Sequence, residues 1–412
     1  MTQQVESSGR STAVGGGVAL ALSGMLGIGV LLGPAPAAAA AGPWSLLGLP
    51  IALVTAICVA SATAHQSNSY GGPGPAYACV RERMGLLAAR VAASAFLAGQ
   101  VAAMAAVARV LGDLFLPSAA PQVAAVAILL VVLSATTGLR IRGGAAWLWT
   151  ALSLLVVGLV VATCFAIAPV GGQPAGQVAD SAVGPFGAAG VLFVAFLGIE
   201  RLTAPDGRRL PPRVVKRAAV ISLSVVTAVL ALMMLALAHQ LGWARLALSP
   251  APLRDVLTAA AAADMRPLVS AGAAVALLPV LLGALESWRS TAVALNRDGE
   301  LPRALGRTGS AGTPYLLDLL GGVAAVLVAQ WVSPVAAMSF AACALLLHYA
   351  LASAGARLLL ADGPAWATRL ACLGMGLSVV VAMSMPIGAM LSTAVVVVLG
   401  PLVAGGVSRR WK

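Results

Sequence analysis

Charged side chains are scarce in this sequence. Only 9% of the 412 residues are charged, 25 Lys and Arg with 13 Asp and Glu, while 60% are hydrophobic. A soluble domain carries about 25% charged residues, so a water-soluble body of this length could not cover its surface. The composition therefore predicts an integral membrane protein. It excludes a nucleic-acid binder despite the net charge of +12, because the basic residues are too sparse to form a groove. Long apolar runs also exclude an outer-membrane barrel, whose strands alternate.

Metal-ligating and catalytic side chains are also few, with five cysteines and three histidines. The cysteines lack the paired spacing of a zinc site or a disulfide framework. His65 and His239 lie at the ends of predicted spans, where we expect interfacial roles. His348 lies inside a span, where it is expected either to bond to a neighbouring helix or to line a pathway. The sequence has no metalloprotease or phosphate-cradling motif, so we expect no enzyme, no metal site and no cofactor.

Apolar stretches long enough to cross a bilayer, about 20 residues, recur twelve times in the sequence. They cover 13–37, 42–65, 86–112, 121–139, 144–168, 186–203, 217–240, 266–290, 315–332, 335–357, 365–384 and 387–406. Turn-forming pairs such as Gly42-Pro43 and Ser333-Pro334 separate them. The sequence therefore predicts an all-α integral membrane protein with about 12 transmembrane helices.

The basic residues predict the orientation of these spans, because Lys and Arg accumulate on the cytoplasmic side. With the N-terminus inside, 20 of the 25 basic residues, Arg201 among them, fall in inner segments and three in outer ones. Both termini are therefore predicted to be cytoplasmic. An alternative is a cleaved signal peptide, with residues 18–32 as its core and Ala35-Pro36-Ala37 as the cleavage site. Cleavage there would leave eleven spans and would place most basic residues on the outer side. The signal peptide would also have Arg10 as the sole basic residue before its core.

Two spans contain residues that interrupt helices. The first holds a series of glycines ending at Gly33-Pro34, and each glycine costs a helix about 1 kcal/mol relative to alanine. Close packing of helices through small residues is the alternative explanation. The sixth span carries Glu200, followed by Pro205. A carboxylate in a span is a candidate functional group, although Glu200 could also pair with Arg201 or be solvated at the cytoplasmic end. Interrupted helices in corresponding positions of two repeats indicate a transporter's binding site.

Four motifs resemble those of the amino acid–polyamine–organocation (APC) permeases, and they occur in the expected order. They are Gly27-Ile28-Gly29-Val30-Leu31, Gly71-Gly72-Pro73-Gly74-Pro75-Ala76-Tyr77 with Arg81 and Met84-Gly85, Phe196-Leu197-Gly198-Ile199-Glu200, and Asn296-Arg297-Asp298-Gly299-Glu300-Leu301-Pro302 with Gly312-Thr313-Pro314. Because they are spread along the chain, the resemblance covers essentially the whole protein. Within the family, the sequence is most similar to bacterial permeases of the neutral amino acid exporter type.

The resemblance implies a LeuT-like fold of two inverted five-helix repeats, 13–168 and 186–357, followed by two additional helices within 365–406. Residues 1–12 and 407–412 would be cytoplasmic tails. It also implies secondary active transport of an amino acid across the inner (plasma) membrane by alternating access. The expected partners are the amino acid and the lipid bilayer, with protons as a candidate coupling ion and no nucleic acid.

The resemblance further implies where the substrate binds. Its carboxylate would meet the unwound first helix, where backbone N–H groups and a half-helix N-terminus attract an anion. Its amine would meet carbonyl groups freed at the broken sixth helix, with Phe196 as a candidate gate. The first set of binding residues is Ser23, Gly24, Gly27, Ile28 and Gly29, and the second is Phe196, Leu197, Gly198 and Ile199.

The sequence departs from the family pattern at two positions. Ile28 stands where the family usually has Ser or Thr, and Ser153 stands where some proton-coupled members have Lys. The candidates for proton coupling or gating are Glu200 and Glu286, because they are the clear carboxylates within the predicted spans. Glu286 precedes Arg289 by three residues, which predicts an ion pair on one helical face. The alternative functions are a degenerate permease with a sensor or assembly role and a membrane-embedded enzyme. The nearly uncharged pathway favours a zwitterionic substrate held by backbone groups.

Overall fold

The computed structural model describes residues 2–139, 144–168, 184–203, 211–259, 266–309 and 311–410. Every regular element in these ranges is helical. The helices are α1 (Thr2–Met25), α2 (Ile28–Leu31), α3 (Pro34–Ala41), α4 (Ser45–Ser69), α5 (Pro75–Met84), α6 (Leu86–Phe115), α7 (Ala120–Thr136), α8 (Gly144–Ala166), α9 (Gly184–Phe193), α10 (Glu200–Thr203), α11 (Pro212–Leu241), α12 (Trp243–Leu248), α13 (Pro252–Ala259), α14 (Arg266–Arg297), α15 (Tyr315–Trp331), α16 (Pro334–Leu359), α17 (Ala365–Met383) and α18 (Ile387–Arg410). Short 3-10 turns join several of them. Pro205 lies outside the described residues.

Ten helical stretches of the described chain are long and apolar enough to cross a membrane. They confirm a multi-pass helical protein, but the count is lower than the twelve predicted. The first and ninth predicted spans contain shorter apolar helices, Val14–Met25 and Tyr315–Trp331. The first span is shortened because its helix breaks after Met25. Its C-terminal part, α3, instead continues through a 3-10 turn at Gly42–Trp44 into α4.

Proline and serine set several helix starts. Proline occupies the first turn of α3, α5, α11 and α16, where its missing N–H has no helical partner to lose. At the start of α16, the Oγ of Ser333 accepts a hydrogen bond of 3.3 Å from the N–H of Ala336. These signals are local, so the sequence predicts most helix starts well.

The centre of the bundle is α6, which packs against α7, α14 and α16. In the most apolar 18-residue stretch of α6, 72% of the residues are buried. The corresponding fraction is 17% in α18, which lies at the periphery. Large apolar side chains face outward on α7, α8, α17 and α18, among them Leu133, Leu155 and Leu402. An exposed apolar surface of this kind matches lipid rather than water.

Two interrupted segments meet inside this bundle. α1 packs against α8, α11 and α14, while α9 packs against α3, α4 and α16. The break between α1 and α2 lies against the 3-10 turn that follows α9, since α2 contacts that turn directly. The architecture therefore brings the first and sixth predicted spans together at their irregular parts.

Candidate functional site

The first interruption lies at Leu26 and Gly27. The N–H of Gly27 donates to the carbonyl of Met25 at 2.9 Å, a local turn that ends α1. Gly27 has φ −127° and ψ −134°, outside the helical region. A Cβ at Gly27 would lie 2.6 Å from Cγ2 of Val280 in α14. Glycine is therefore required here by the close approach of α14, and the sequence prediction of a break in this span agrees with the backbone.

The second interruption runs from Leu197 to Ile199. A 3-10 turn, Val194–Phe196, ends at Leu197 in an extended conformation, and Gly198 then takes φ +113°. A Cβ at Gly198 would lie 3.1 Å from the carbonyl carbon of Gly24. The two interrupted spans thus approach each other backbone to backbone, at glycines that the sequence supplies on both sides.

The carbonyl groups of this second break are partly used by the protein itself. The carbonyl of Gly198 accepts from the N–H of Arg201 at 3.1 Å, and that of Ile199 accepts from the N–H of Leu202 at 3.0 Å. Two of the carbonyls in the predicted amine site therefore already accept one hydrogen bond each within the protein, and each keeps a second lone pair. Their hydrogen bonds begin the short helix α10 directly after the break.

A cavity opens between the two breaks and the helices α6 and α14. Its walls are Gly24, Met25, Gly27, Ile28, Gln100, Ala103, Val107, Val194, Leu197, Gly198, Glu200, Arg201, Val280, Gly283, Ala284 and Ser287. Six of the predicted site residues are in that set. The remaining ones, apart from Ser23 and Glu286, lie behind it. Gly29 packs on the backbone of Ala195, while Phe196 and Ile199 are buried in the hydrophobic core.

The cavity contains a charged side chain that the distribution of basic residues predicts to lie in a cytoplasmic segment. Arg201 is buried, with 4% of its side chain exposed. Its Nη1 donates to Oγ of Ser23 at 3.2 Å, and its Nη2 donates to Oε2 of Glu286 at 3.1 Å. The expectation of a nearly uncharged pathway is therefore wrong. The adjacent charges Glu200-Arg201 at the end of an apolar span were the sequence signal for this residue.

The predicted ion pair between Glu286 and Arg289 is not the one that forms. Glu286 pairs with Arg201 across the bundle, while Nε of Arg289 donates to Oδ1 of Asp318 at 2.5 Å. Asp318 is completely buried, and a buried carboxylate needs a cationic partner. Because Arg289 is bound to Asp318 of α15, it does not pair with Glu286 of its own helix, which the spacing along α14 had predicted.

Glu200 faces the same cavity. Its Oε2 accepts a hydrogen bond of 3.1 Å from the N–H of Gly198, so the carboxylate is held over the break that precedes it. Glu200 and Arg201 both line the cavity and Glu286 is bound to Arg201, so one cationic and two carboxylate side chains form a cluster in or beside the cavity wall. This cluster lies between the first, sixth and eighth predicted spans.

Other polar residues named from the sequence bond within the scaffold. The Nδ1 of His348 lies 2.8 Å from the carbonyl of Ala92, which confirms the predicted hydrogen bond between helices. Ser153 donates from Oγ to the carbonyl of Trp149 at 2.9 Å, one turn earlier in α8. Both side chains are therefore satisfied by backbone groups.

The second and fourth resembling motifs meet at one end of the bundle. The N–H of Gly74, at φ +62°, donates to Oγ of Ser290 at 3.0 Å, and Arg81 pairs with Asp298. Arg90 holds Glu300 with two hydrogen bonds, from Nε at 2.7 Å and from Nη2 at 3.1 Å. The segment that runs from Gly74 through α5 to the start of α6 is thereby fastened to the end of α14 and the loop that follows it.

Comparisons with known proteins agree with this architecture. The chain is 33% identical over 400 residues to the uncharacterized transporter Rv1999c of Mycobacterium tuberculosis and to the uncharacterized transporter Mb2022c of Mycobacterium bovis, covering 95% of this chain and 90% of each relative. No family model matches it. The crystal structure of the Eremococcus coleocola manganese transporter in complex with an aromatic bis-isothiourea substituted compound shares its fold, with a TM-score of 0.56 and 16% identity over 97% of this chain and 95% of that one. This chain belongs to the family of multi-pass membrane transporters that includes these mycobacterial proteins.

Proposed function

We propose that the protein is a secondary active transporter of amino acids that works by alternating access in the inner (plasma) membrane. The observation that carries this proposal is the cavity between two interrupted helices, with opposite charges in its walls. Irregular backbone at membrane depth is tolerated where it is enclosed by protein or lines a cavity. In transporters, discontinuous helices of this kind form the substrate site.

We further propose that the helices form two inverted five-helix repeats, with α1 corresponding to α9, α4 to α11, α6 to α14, α7 to α15 and α8 to α16. The helix contacts support this arrangement because they occur in matched pairs. α1 packs on α8 and α11, as α9 packs on α16 and α4. Likewise, α6 packs on α16 and α7, as α14 packs on α8 and α15. α17 and α18 are then the two additional helices.

In this proposal the substrate lies between the breaks, its carboxylate toward the first and its amine toward the sixth span. Ile28 lines the cavity and offers no hydroxyl, so the carboxylate is bound by other groups near Gly24 and Gly27. Helix α2 has only four residues and supplies little dipole. The carboxylates of Glu200 and Glu286 provide negative charge for the ammonium group.

The structural neighbour is a manganese transporter, but the presence of both signs of charge in this cavity favours an organic substrate. The guanidinium of Arg201 is bound to Glu286, so one of the two carboxylates near the cavity already has a cationic partner. Within the described ranges, no group of three His, Cys, Asp or Glu side chains is arranged to hold a metal ion. A zwitterion complements both signs of charge in the cavity.

Proton coupling is assigned in this proposal to Glu200 and Glu286, the carboxylates nearest the cavity. Glu200 is held by the N–H of Gly198 at the break. Glu286 is bound to Arg201, so its charge depends on the position of that side chain. Rearrangement of the two breaks during alternating access would change the surroundings of both groups.

The test is flux of radiolabelled amino acids into proteoliposomes with an imposed pH gradient. We expect saturable uptake of at least one amino acid, absent from protein-free liposomes and from vesicles with a Gly27→Leu variant. Leucine at this position would collide with Val280. A Gly158→Leu variant is the control, because Gly158 has open space around it and should transport normally. If no amino acid gives saturable flux, the transport proposal is refuted and a sensor or assembly role becomes the better explanation.

A further inference from the structure

We propose that Arg201 binds the carboxylate of the substrate directly, and that Glu286 is the resident counter-ion that this carboxylate displaces. The inference rests on the proposed transport function and deepens it. It assigns a charged side chain to the substrate where the sequence suggested backbone groups alone. It also restricts the substrate class to amino acids with a free α-carboxylate.

The guanidinium lies in a slot formed by two glycines. A Cβ at Gly24 would be 3.1 Å from Cδ of Arg201, and one at Gly283 would be 3.1 Å from Cδ and 3.2 Å from Cζ. Side chains at these positions would push the guanidinium out of its place. The slot is therefore built from both α1 and α14, and it holds Arg201 at the wall of the cavity.

Only some of the N–H donors of Arg201 have a hydrogen-bond acceptor among the described residues. Nη1 and Nη2 each donate once, to Ser23 and Glu286, while the buried Nε has no acceptor among the described residues. A guanidinium carries five N–H donors and binds a carboxylate through two parallel hydrogen bonds. An unmatched buried donor is costly. A carboxylate that enters from the cavity would supply the missing acceptor.

The bond between Arg201 and Glu286 differs from a permanently closed ion pair. Arg90 and Glu300 form two hydrogen bonds, and the Glu300 side chain is only 5% exposed. Arg201 and Glu286 share one hydrogen bond of 3.1 Å, and the Glu286 side chain is 24% exposed. Glu286 can therefore be rehydrated when another carboxylate takes its place, which lowers the cost of exchange.

The cavity also offers a place for the second charge of an amino acid. With its carboxylate on Arg201, the ammonium of the ligand would face the carboxylates of Glu200 and the displaced Glu286. A simple carboxylic acid would gain only the contact with Arg201. An amino acid amide would gain only the contact with the carboxylates.

The experiment measures binding by the purified full-length chain in detergent. A thermal-shift panel of proteinogenic amino acids, with acetate, lactate and succinate as carboxylates without an amine, identifies the best ligand. If the best ligand is an amino acid, the matched probe is its carboxamide, which keeps the amine and the side chain but lacks the carboxylate. We expect the carboxamide to bind wild type at least about tenfold more weakly, and Arg201→Gln to weaken amino acid binding about ten- to hundredfold and remove this discrimination.

Glu286→Gln distinguishes a displaced counter-ion from a merely structural pair. The Glu286→Gln variant lacks the carboxylate that competes with the ligand for Arg201, so it should bind the ligand more tightly. Arg201→Gln should bind it more weakly. Arg109→Gln is the control, because Arg109 also lies in a span but donates to the carbonyl of Ala329 outside the cavity wall. The proposal would be overturned if the carboxamide bound wild type as tightly as the amino acid does, or if Arg201→Gln still discriminated between the two ligands. Weaker ligand binding by Glu286→Gln than by wild type would also overturn it.

The panel also separates this inference from the transport proposal. If only the amine-free carboxylates bind, and Arg201→Gln abolishes that binding, the carboxylate site is upheld while amino acid transport fails. If an amino acid binds as tightly to Arg201→Gln as to wild type, the transport proposal survives and the Arg201 site is refuted. Binding of no carboxylate at all by a folded wild-type protein refutes the site as well.

Discussion

The contact between Gly198 and Gly24 yields a prediction about Gly198→Ala. The added methyl carbon meets two obstacles. Gly198 has φ +113°, a conformation that is strained for any residue with a Cβ. The new carbon would also lie 3.1 Å from the carbonyl carbon, 3.3 Å from Cα and 3.4 Å from the oxygen of Gly24. Because these are backbone atoms, they cannot rotate away as a flexible side chain would.

The expected cost follows from these two obstacles. A residue held in a sparsely populated backbone region costs about 1–3 kcal/mol, and overpacking costs about 1–3 kcal/mol. Gly198→Ala should therefore lower the free energy of unfolding by about 2–6 kcal/mol. The control, Gly158→Ala, lies on an exposed face of α8 with open space around it. It should raise helix stability by up to about 1 kcal/mol.

Unfolding of both variants by SDS titration in mixed micelles gives the stability difference, and proteoliposome flux gives the activity. We expect Gly198→Ala to lose both, since separation of the two breaks also changes the cavity that they enclose. If Gly198→Ala unfolds at the same SDS fraction as Gly158→Ala and transports at the wild-type rate, the close approach of the two spans is not required. The structural argument for the site would then fail.

Three further predictions concern the same framework. Gly29→Leu should abolish transport and lower the yield of folded protein, because a side chain there collides with the backbone of Ala195; normal flux would contradict this. Glu300→Ala should destabilise the protein by about 3 kcal/mol, because it removes both hydrogen bonds of a largely buried ion pair, and unchanged SDS unfolding would argue against it. Glu200→Gln should make transport less dependent on pH if Glu200 carries the coupled proton, and an unaltered pH profile of the flux would remove it from that role.

Much of the architecture could be predicted from local sequence. Membrane spans follow from long apolar runs, because hydrocarbon excludes charge over a fixed thickness. The breaks at Gly27 and Gly198 follow from glycine, which tolerates a non-helical backbone. The number of spans was less predictable, since the sequence indicates twelve and the described chain has ten long apolar helices. A broken helix leaves short segments such as Val14–Met25, and packing decides where they rejoin a neighbour.

Local sequence determined the membrane class, the helical spans and the two interrupted segments, since each depends on residues close together in the chain. The tertiary structure alone decided the charge pairing. Arg201 reaches Ser23 across 178 positions and Glu286 across 85, whereas the local pair of Glu286 with Arg289 does not form. A buried charge selects its partner by proximity in the packed bundle, because water is absent there to solvate it. The packing of α1, α10 and α14 therefore places a buried arginine in the cavity that the sequence had suggested was almost free of charge.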